Sequence, residues 1–246
     1  KGANQAVAAA RDGARVALVG AVGDDDAGGR QGAALDGAGV DTRWLRRLTG
    51  VPTGTAFIQV DSRGENTIVV VQGANAHVTL PVDDVESRVV VTQNEIPAAA
   101  QQEAVALAAR TGARLVINAA PAPESPPPWY GAADPLVVNE HEAAQLATSD
   151  ETGAGLLRRL RERTGARSVV MTLGERGALV DDGTEVHAIP PVVVEQVVDA
   201  TGAGDTFVGV LAARLARGND VVAAASAANR CAAKAVTWPG ARPPAG

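Results

Sequence analysis

Short, unbroken apolar runs recur along the chain at Val16–Val19, Val89–Val91, Leu115–Ile117, Leu136–Val138 and Val169–Leu173. A strand that is apolar on both faces needs cover on both, which a parallel sheet between helices supplies. Between most of these runs the apolar positions take a helical period. Pro97 opens one such stretch, which continues to Arg110 and stops at Gly112. A second spans Thr152 to Arg163 and ends at Gly165, and a third repeats Phe207, Leu211 and Leu215 before Gly218. The alternation predicts an α/β fold, a doubly wound, mostly parallel sheet with helices on both faces.

Two segments break the rhythm. Thr53–Asp61 and Asn66–Gln72 are β-rich with no helix between them, and Ser62-Arg63-Gly64-Glu65 joins them as a hairpin. A hairpin interrupting a βαβ series is expected to project as a small separate sheet, so residues 41–75 are assigned to a β lid. Residues 1–40 and 76–246 then form the α/β domain. A second pair, Ala178–Asp181 and Glu185–Ile189 around Asp182-Gly183, is expected to edge the main sheet. Five prolines within Pro121–Pro128 mark a loop.

Composition narrows the partners. The chain has 246 residues and a net charge of −6, and its only lysines are Lys1 and Lys234. That balance argues against nucleic acid or an anionic membrane as the main partner. No apolar run approaches the ~20 residues of a membrane-spanning helix. Cys231 stands alone, which excludes a disulfide framework and suggests a reducing, cytoplasmic setting. Met171 is the sole methionine, so Lys1 is not expected to be a translation start.

The strongest chemical signal is Asp199-Ala-Thr-Gly-Ala-Gly-Asp205-Thr-Phe-Val-Gly209, which opens a helix. Gly202, Ala203 and Gly204 form a turn of small residues at the helix N-terminus. Backbone amides and the positive end of the helix dipole converge there, suiting an anion such as phosphate. It is not a P-loop, because Val210 stands where that motif needs lysine. It is not a dinucleotide fingerprint either, because Phe207 replaces the third glycine. A plain helix cap with glycines for tight packing fits the same letters.

Weaker signals accompany it. Lys1-Gly2-Ala3-Asn4-Gln5 leads into an Ala-rich helix and alone reads as a surface helix. Asn139-Glu140-His141-Glu142 follows the Leu136–Val138 strand, at the sheet edge where ligands of open α/β folds bind. A carboxylate there can hold Mg²⁺ through water, and the same residues match a capping box with Asn139 as cap and Glu142 at N3. Thr172-Leu-Gly-Glu-Arg-Gly177 is another Gly-rich strand exit, and Gly64-Glu65-Asn66-Thr67-Ile68 lies in the hairpin.

Together these segments resemble the ribokinase family of carbohydrate kinases, in order and over essentially the whole chain. Lys1 to Gln5 matches the tail of its N-terminal signature, Asn139-x-x-Glu142 its magnesium motif and Asp199 to Gly209 its C-terminal signature. The hairpin, Gly73-Ala74-Asn75 and Asn118-x-Ala120-Pro121-Ala122 are more similar to ribokinases than to fructokinases or adenosine kinases. The resemblance implies transfer of phosphate from ATP to the 5-hydroxyl of ribose. Asp205 would be the general base, and Gly202, Ala203, Gly204 and Asp205 would form the anion hole. Lys1, Gly2, Asn4 and Glu95 would bind the sugar. Thr172, Leu173, Gly174, Glu175, Arg176, Gly177 and Gly204 would line the nucleotide, with Asn229 beside the base. Asn139 and Glu142 would hold Mg²⁺ through water. The lid would close over the site and pair two subunits into a homodimer.

The resemblance also implies a K⁺ site at Asp199, Thr201, Ala235, Trp238 and Gly240. Here the chain departs from the pattern: Pro244 stands where a serine hydroxyl contributes, and Ala200 where threonine is common. The family's first strand, with an Asn and an Asp that grip the sugar and a Gly pair ahead of Lys1, is expected upstream of this chain. Its absence keeps a non-catalytic nucleotide- or sugar-binding fragment open as an alternative. Another sugar or nucleoside kinase of the family (fructokinase, deoxyribokinase, adenosine kinase) is the second. An ATP-dependent hydrate dehydratase is disfavoured by the Lys1–Asn4 motif and the lid. His77, His141 and His187 lack metal-ligand spacing, Cys231 reads as a small core residue, and Arg158, Arg159, Arg161 and Arg163 read as a solvated helix face.

Overall fold

The computed structural model describes residues 1–60, 66–80 and 85–242. Helix α1 (Gly2–Arg11) precedes β1 (Gly20–Gly23), α2 (Asp26–Gly37), β2 (Leu45–Leu48), β3 (Thr55–Val60) and β4 (Asn66–Val71). Next come β5 (Val89–Gln93), α3 (Ala98–Thr111), β6 (Arg114–Asn118), β7 (Leu136–Asn139), α4 (Glu140–Ala147), α5 (Gly153–Thr164) and β8 (Val169–Thr172). β9 (Ala178–Asp181), β10 (Val186–Ile189), α6 (Ala203–Ala216) and α7 (Val221–Ala235) follow.

Among the described residues the main sheet has the order β10-β9-β8-β7-β6-β5. β5 to β8 run parallel, and β9 and β10 are the antiparallel edge expected of the second hairpin. The parallel strands are apolar on both faces because helices cover both. Leu115, Ile117, Leu136, Val138, Val169 and Met171 pack with Leu146 of α4 and Leu156, Leu157 and Leu160 of α5. The alternate residues Val116, Val137 and Val170 pack against Phe207, Leu211 and Leu215 of α6 and Ala224 and Ala228 of α7, with Cys231 at the margin. α3 and α5 stop at the expected Gly112 and Gly165, both left-handed.

The apolar run at Val16–Val19 behaves differently. Only a bridge between Ala17 and Asp41 forms there, and the regular strand starts at Gly20. β1 pairs in parallel with β2 as a two-stranded unit outside the main sheet. An apolar run reports that a segment is covered. Whether it forms a ladder depends on which backbone lies beside it, and for residues 16–18 that is Asp41, bonded at 2.8 and 3.0 Å.

β3 and β4 pair antiparallel, Thr55 opposite Val71 and Phe57 opposite Val69, as a separate hairpin. Its turn, residues 61–65, lies outside the described residues. The base of the hairpin is tied to α2 through one carboxylate. Asp25 caps the helix by accepting from Gly28 N (2.8 Å) and also accepts from Thr53 Oγ1 (2.6 Å) and Thr53 N (2.8 Å). One expectation on α5 needs correction. Arg161 does not belong to a solvated face: it pairs at 2.9 Å with the buried Asp181 on β9, because a carboxylate without water requires a charged or hydrogen-bonding partner. No helix among the described residues is long and apolar enough to cross a membrane.

Candidate active site

The parallel register gathers polar residues at one edge of the sheet. Gln93 at the end of β5 lies beside Asn118 at the end of β6, and Asn139 at the end of β7 lies beside Thr172 at the end of β8. Carboxyl ends of parallel strands are where open α/β sheets bind ligands. The N-terminus of α6 joins this edge through Asp205. Gly202 caps the helix with φ 79° and offers no side chain to its amides. Ala203 N bonds the Ala200 carbonyl at 3.3 Å. The amides of Gly204 and Asp205 have no acceptor within the helix, as at any helix start. A Cβ built on Gly204 would meet nothing within 4 Å, so the turn is open at that residue.

Asp205 is 7% exposed and held by two side-chain amides from α1. Asn4 Nδ2 donates to its Oδ2 at 3.0 Å and Gln5 Nε2 to its Oδ1 at 3.2 Å. Gln5 Nε2 also donates to Asn118 Oδ1 (3.0 Å), while Gln5 Oε1 accepts from Gln93 Nε2 (2.6 Å). The carboxylate is thereby oriented from two sides and linked to two strand ends. α1 reaches it because Gly209 on α6 has no side chain: a Cβ there would lie 2.3 Å from the Gln5 carbonyl oxygen. On its outer side Asn4 Oδ1 accepts from Arg242 Nε (2.9 Å), and Arg242 Nη2 donates to Gln31 Oε1 (2.9 Å).

Of the other expected residues, Lys1 and Gly2 open α1 and Glu95 follows β5. The Lys1 backbone nitrogen donates to Glu95 Oε2 at 2.7 Å, and Gly2 lies against the Gln93 side chain. Asn139 and Glu142 form a complete capping box, Asn139 Oδ1 accepting from Glu142 N and Glu142 Oε2 from Asn139 N, both at 2.8 Å. Burial pushes the Glu142 pKa up, opposed by the Asn139 amide and by the charges of Lys1 and His141. A half-buried carboxylate with a spare oxygen suits a hydrated cation. Among the described residues no cluster of three or more His, Cys, Asp or Glu could hold a metal directly. A Mg²⁺ here would take its other ligands from phosphate and water.

From Thr172 the chain makes one 3₁₀ turn, Gly174–Arg176, closed by Leu173 N to the Gly177 carbonyl (2.8 Å), and Arg176 pairs with Glu140. Asn229 is buried and donates to the Pro190 carbonyl at 2.9 Å, anchoring the segment that leads to residue 199. Asp199 accepts from Thr201 N and Gly240 N, both at 2.8 Å, and Val198 N bonds the Val236 carbonyl. Hydrogen bonds from the Thr201 hydroxyl, its amide and Gly240 N hold the Asp199 carboxyl below its ordinary pKa. These bonds draw Thr201 and Gly240 together, while Trp238 is half-buried and Ala235 buried. Pro244 lies outside the described residues.

The model of pfkB family carbohydrate kinases matches residues 1–245. The chain belongs to the pfkB family. Within it, the chain is 38% identical to ribokinase of Mus musculus over 88% of its length, spanning 70% of that protein. It is 37% identical to the bifunctional ribokinase/ribose-5-phosphate isomerase A of Fructilactobacillus sanfranciscensis, with 87% of this chain matched. It spans only 41% of that protein's length. Deoxyribokinase of Salmonella typhi is 31% identical, covering 98% of this chain and 81% of its own. The structure of Arabidopsis thaliana ribokinase complexed with ribose and ATP superposes with a TM-score of 0.89 at 27% identity, over 98% of this chain and 81% of that one. The fold of this pfkB-family chain is thus that of ribokinases.

Sequence reasoning did not single out Gln5, Gln31, Gln93 or Arg242 as site residues of this pfkB-family chain. A signal existed for one of them: Gln93 is a polar residue at the end of an apolar strand, at the edge where such folds bind ligands. Gln31 and Arg242 carry no local signal.

Proposed function

We propose that the chain is the kinase core of a ribokinase, transferring the γ-phosphoryl group of ATP to the 5-hydroxyl of D-ribose. The observation that carries this reading is the buried Asp205, held by Asn4 and Gln5, in the first turn of a helix that is open at Gly204. Asp205 takes the proton of the attacking hydroxyl as the new P–O bond forms and the bond to ADP breaks. The amides of Gly202, Ala203, Gly204 and Asp205 stabilise charge on the transferring group. Lys1, Gly2, Asn4 and Glu95 bind sugar hydroxyls. Thr172 to Gly177 line the nucleotide, and Asn229 shapes the base site through the segment it anchors. Asn139 and Glu142 would hold a hydrated Mg²⁺, which would neutralise charge on the nucleotide phosphates. Asp199, Thr201, Ala235, Trp238 and Gly240 would surround a K⁺ site. Residues 41–75 act as the lid, and its apolar face pairs two subunits.

Ribose is favoured by the ribokinase relatives, including the one complexed with ribose and ATP. The likeness to a deoxyribokinase supports 2-deoxyribose as the second reading. ADP release in the presence of ribose, 2-deoxyribose, fructose or adenosine decides between them. The expected result is the largest kcat/KM on ribose; a clear preference for another acceptor overturns the assignment. Asp205→Ala is expected to lower kcat by on the order of 10²–10⁴ while ATP binding persists. A wild-type kcat in that variant removes Asp205 from the role.

A further inference from the structure

We infer that Arg242 is a positioning residue for the Asp205 carboxylate, acting through the side-chain amide of Asn4. The inference rests on the reading of Asp205 as the general base. It adds a part of the site supplied by the segment after α7.

The argument begins with the two ends of an amide. Asn4 can turn its side chain over and present either its oxygen or its NH₂ to Asp205, at little cost in shape. An ionised carboxylate only accepts hydrogen bonds, so only the NH₂ end is useful there. A guanidinium only donates, so Arg242 requires the oxygen end. The observed arrangement satisfies both, with Asn4 Nδ2 to Asp205 Oδ2 at 3.0 Å and Arg242 Nε to Asn4 Oδ1 at 2.9 Å. A flipped amide would set acceptor against acceptor on one side and donor against donor on the other. Arg242 therefore selects the orientation that supports the base.

The guanidinium is itself fixed. Its Nη2 donates to Gln31 Oε1 on α2, which sets the plane of the fork. The backbone leading to it is pinned by Gly240 N on the Asp199 carboxylate (2.8 Å) and by Ala241 against Gly202. One chain of contacts then joins α2, the segment after α7, α1 and α6, in the order Gln31, Arg242, Asn4, Asp205. Gln5 is oriented in the same way from the opposite side, by Gln93.

Charge acts in the same direction. Burial disfavours the Arg242 cation, the Asp205 carboxylate supports it, and Arg11 at the end of α1 opposes it. The α1 side chains that touch Asp205, Asn4 and Gln5, are neutral, and Lys1 acts on Glu142.

The test compares wild type, Arg242→Met and Arg242→Lys. Met keeps an unbranched stem but no donor; Lys keeps a donor and the charge. On ribose, Arg242→Met is expected to lower kcat by on the order of 10–100-fold with KM for ATP unchanged, the scale of a misoriented catalytic group. Arg242→Lys restores kcat. A loss of kcat that Arg242→Lys does not restore, or one that comes with a raised KM for ATP, marks a merely structural role and overturns the inference, as does a wild-type kcat in Arg242→Met. A second readout needs no turnover: the ¹H–¹⁵N signals of the Asn4 side-chain amide, assigned with Asn4→Ala. They are expected to move in Arg242→Met and to stay near their wild-type positions in Arg242→Lys. If wild type phosphorylates no sugar, the ribokinase reading fails by itself, and these amide signals still decide the inference. Unmoved Asn4 amide signals in Arg242→Met overturn it.

Discussion

Gly202 is the residue at which the anion turn and the Arg242 segment both meet a steric limit. Its φ of 79° is one that costs an L-residue about 1–2 kcal/mol. A Cβ there would also lie 2.6 Å from the Ala241 carbonyl oxygen and 2.7 Å from Ala241 Cα, backbone atoms that no rotamer change can move. Gly202→Ala is therefore expected to lower Tm by about 2–8 °C and to release Arg242 from Asn4. Gly204 makes the contrast, since its Cβ would meet nothing within 4 Å and alanine suits a helix better than glycine. Gly204→Ala should keep or raise Tm while placing a methyl group in the space before the turn, so turnover falls without unfolding. Thermal melts of both variants beside ADP-release assays separate the two effects. Asp205 and the small turn before it were legible in the sequence because their chemistry is local, a turn and the helix start that follows. The partners of Asp205 were not. Asn4 and Asp205 are 201 residues apart, Arg242 and Asn4 238, and no local pattern encodes such a pairing.

At the scale of elements, the placement of α1 on α6 decides whether Asn4 and Gln5 reach Asp205. Gly209 sits at their contact, and an added Cβ would fall 2.3 Å from Gln5 O and 2.8 Å from Ala8 Cβ. Gly209→Ala gains about 1 kcal/mol of helix propensity. Overpacking costs about 1–3 kcal/mol, and here the nearest atom is backbone, which puts the cost at the upper end. The expected outcome is a net loss of stability with a larger loss of kcat, because the helix that carries both amides is pushed away. A variant with higher Tm and full activity would mean that the helices separate freely. The ends of α3 and α5 and the start of α4 were legible, since caps and glycine stops are short-range chemistry. The Val16–Val19 strand was not, because a ladder needs a neighbour and periodicity is silent about neighbours.

Asp25 links α2 to the base of the lid, and its pH dependence follows from its hydrogen bonds. The Thr53 hydroxyl and amide and the Gly28 amide hold its carboxyl at about 2, against about 3.9 in an unfolded chain. A depressed folded pKa gives stability that is complete above the unfolded value and lost as pH falls towards the folded one. Asp25→Ala should therefore melt below wild type at pH 7, and the gap should close between about pH 4 and pH 2. A gap that stays constant down to pH 2 would assign the effect of Asp25 to something other than its charge.

For the whole molecule, the doubly wound sheet was legible from apolar runs alternating with helical periods, because burial of both sheet faces leaves that mark along the chain. The split into a main sheet, the β1–β2 pair and the hairpin was only partly so, and what the hairpin does with its apolar surface is a question about a second molecule. Phe57 is 61% exposed and its cross-strand partner Val69 57%, with Val71 beside them on the same face at 45%. Monomeric soluble proteins rarely leave such a face in water, and a two-stranded hairpin is marginally stable without a surface to pack on. A second copy offers an identical hairpin, so the proposed lid-to-lid dimer covers both at once. Phe57→Ser combined with Val69→Ser is expected to sediment as a monomer where wild type sediments as a dimer. The wild-type Tm should also rise with protein concentration, as linkage requires of a dimer that forms only from folded chains, and the variant's should not. Wild type that remains monomeric, with a Tm independent of concentration, would leave this face to the closing of the lid over its own site.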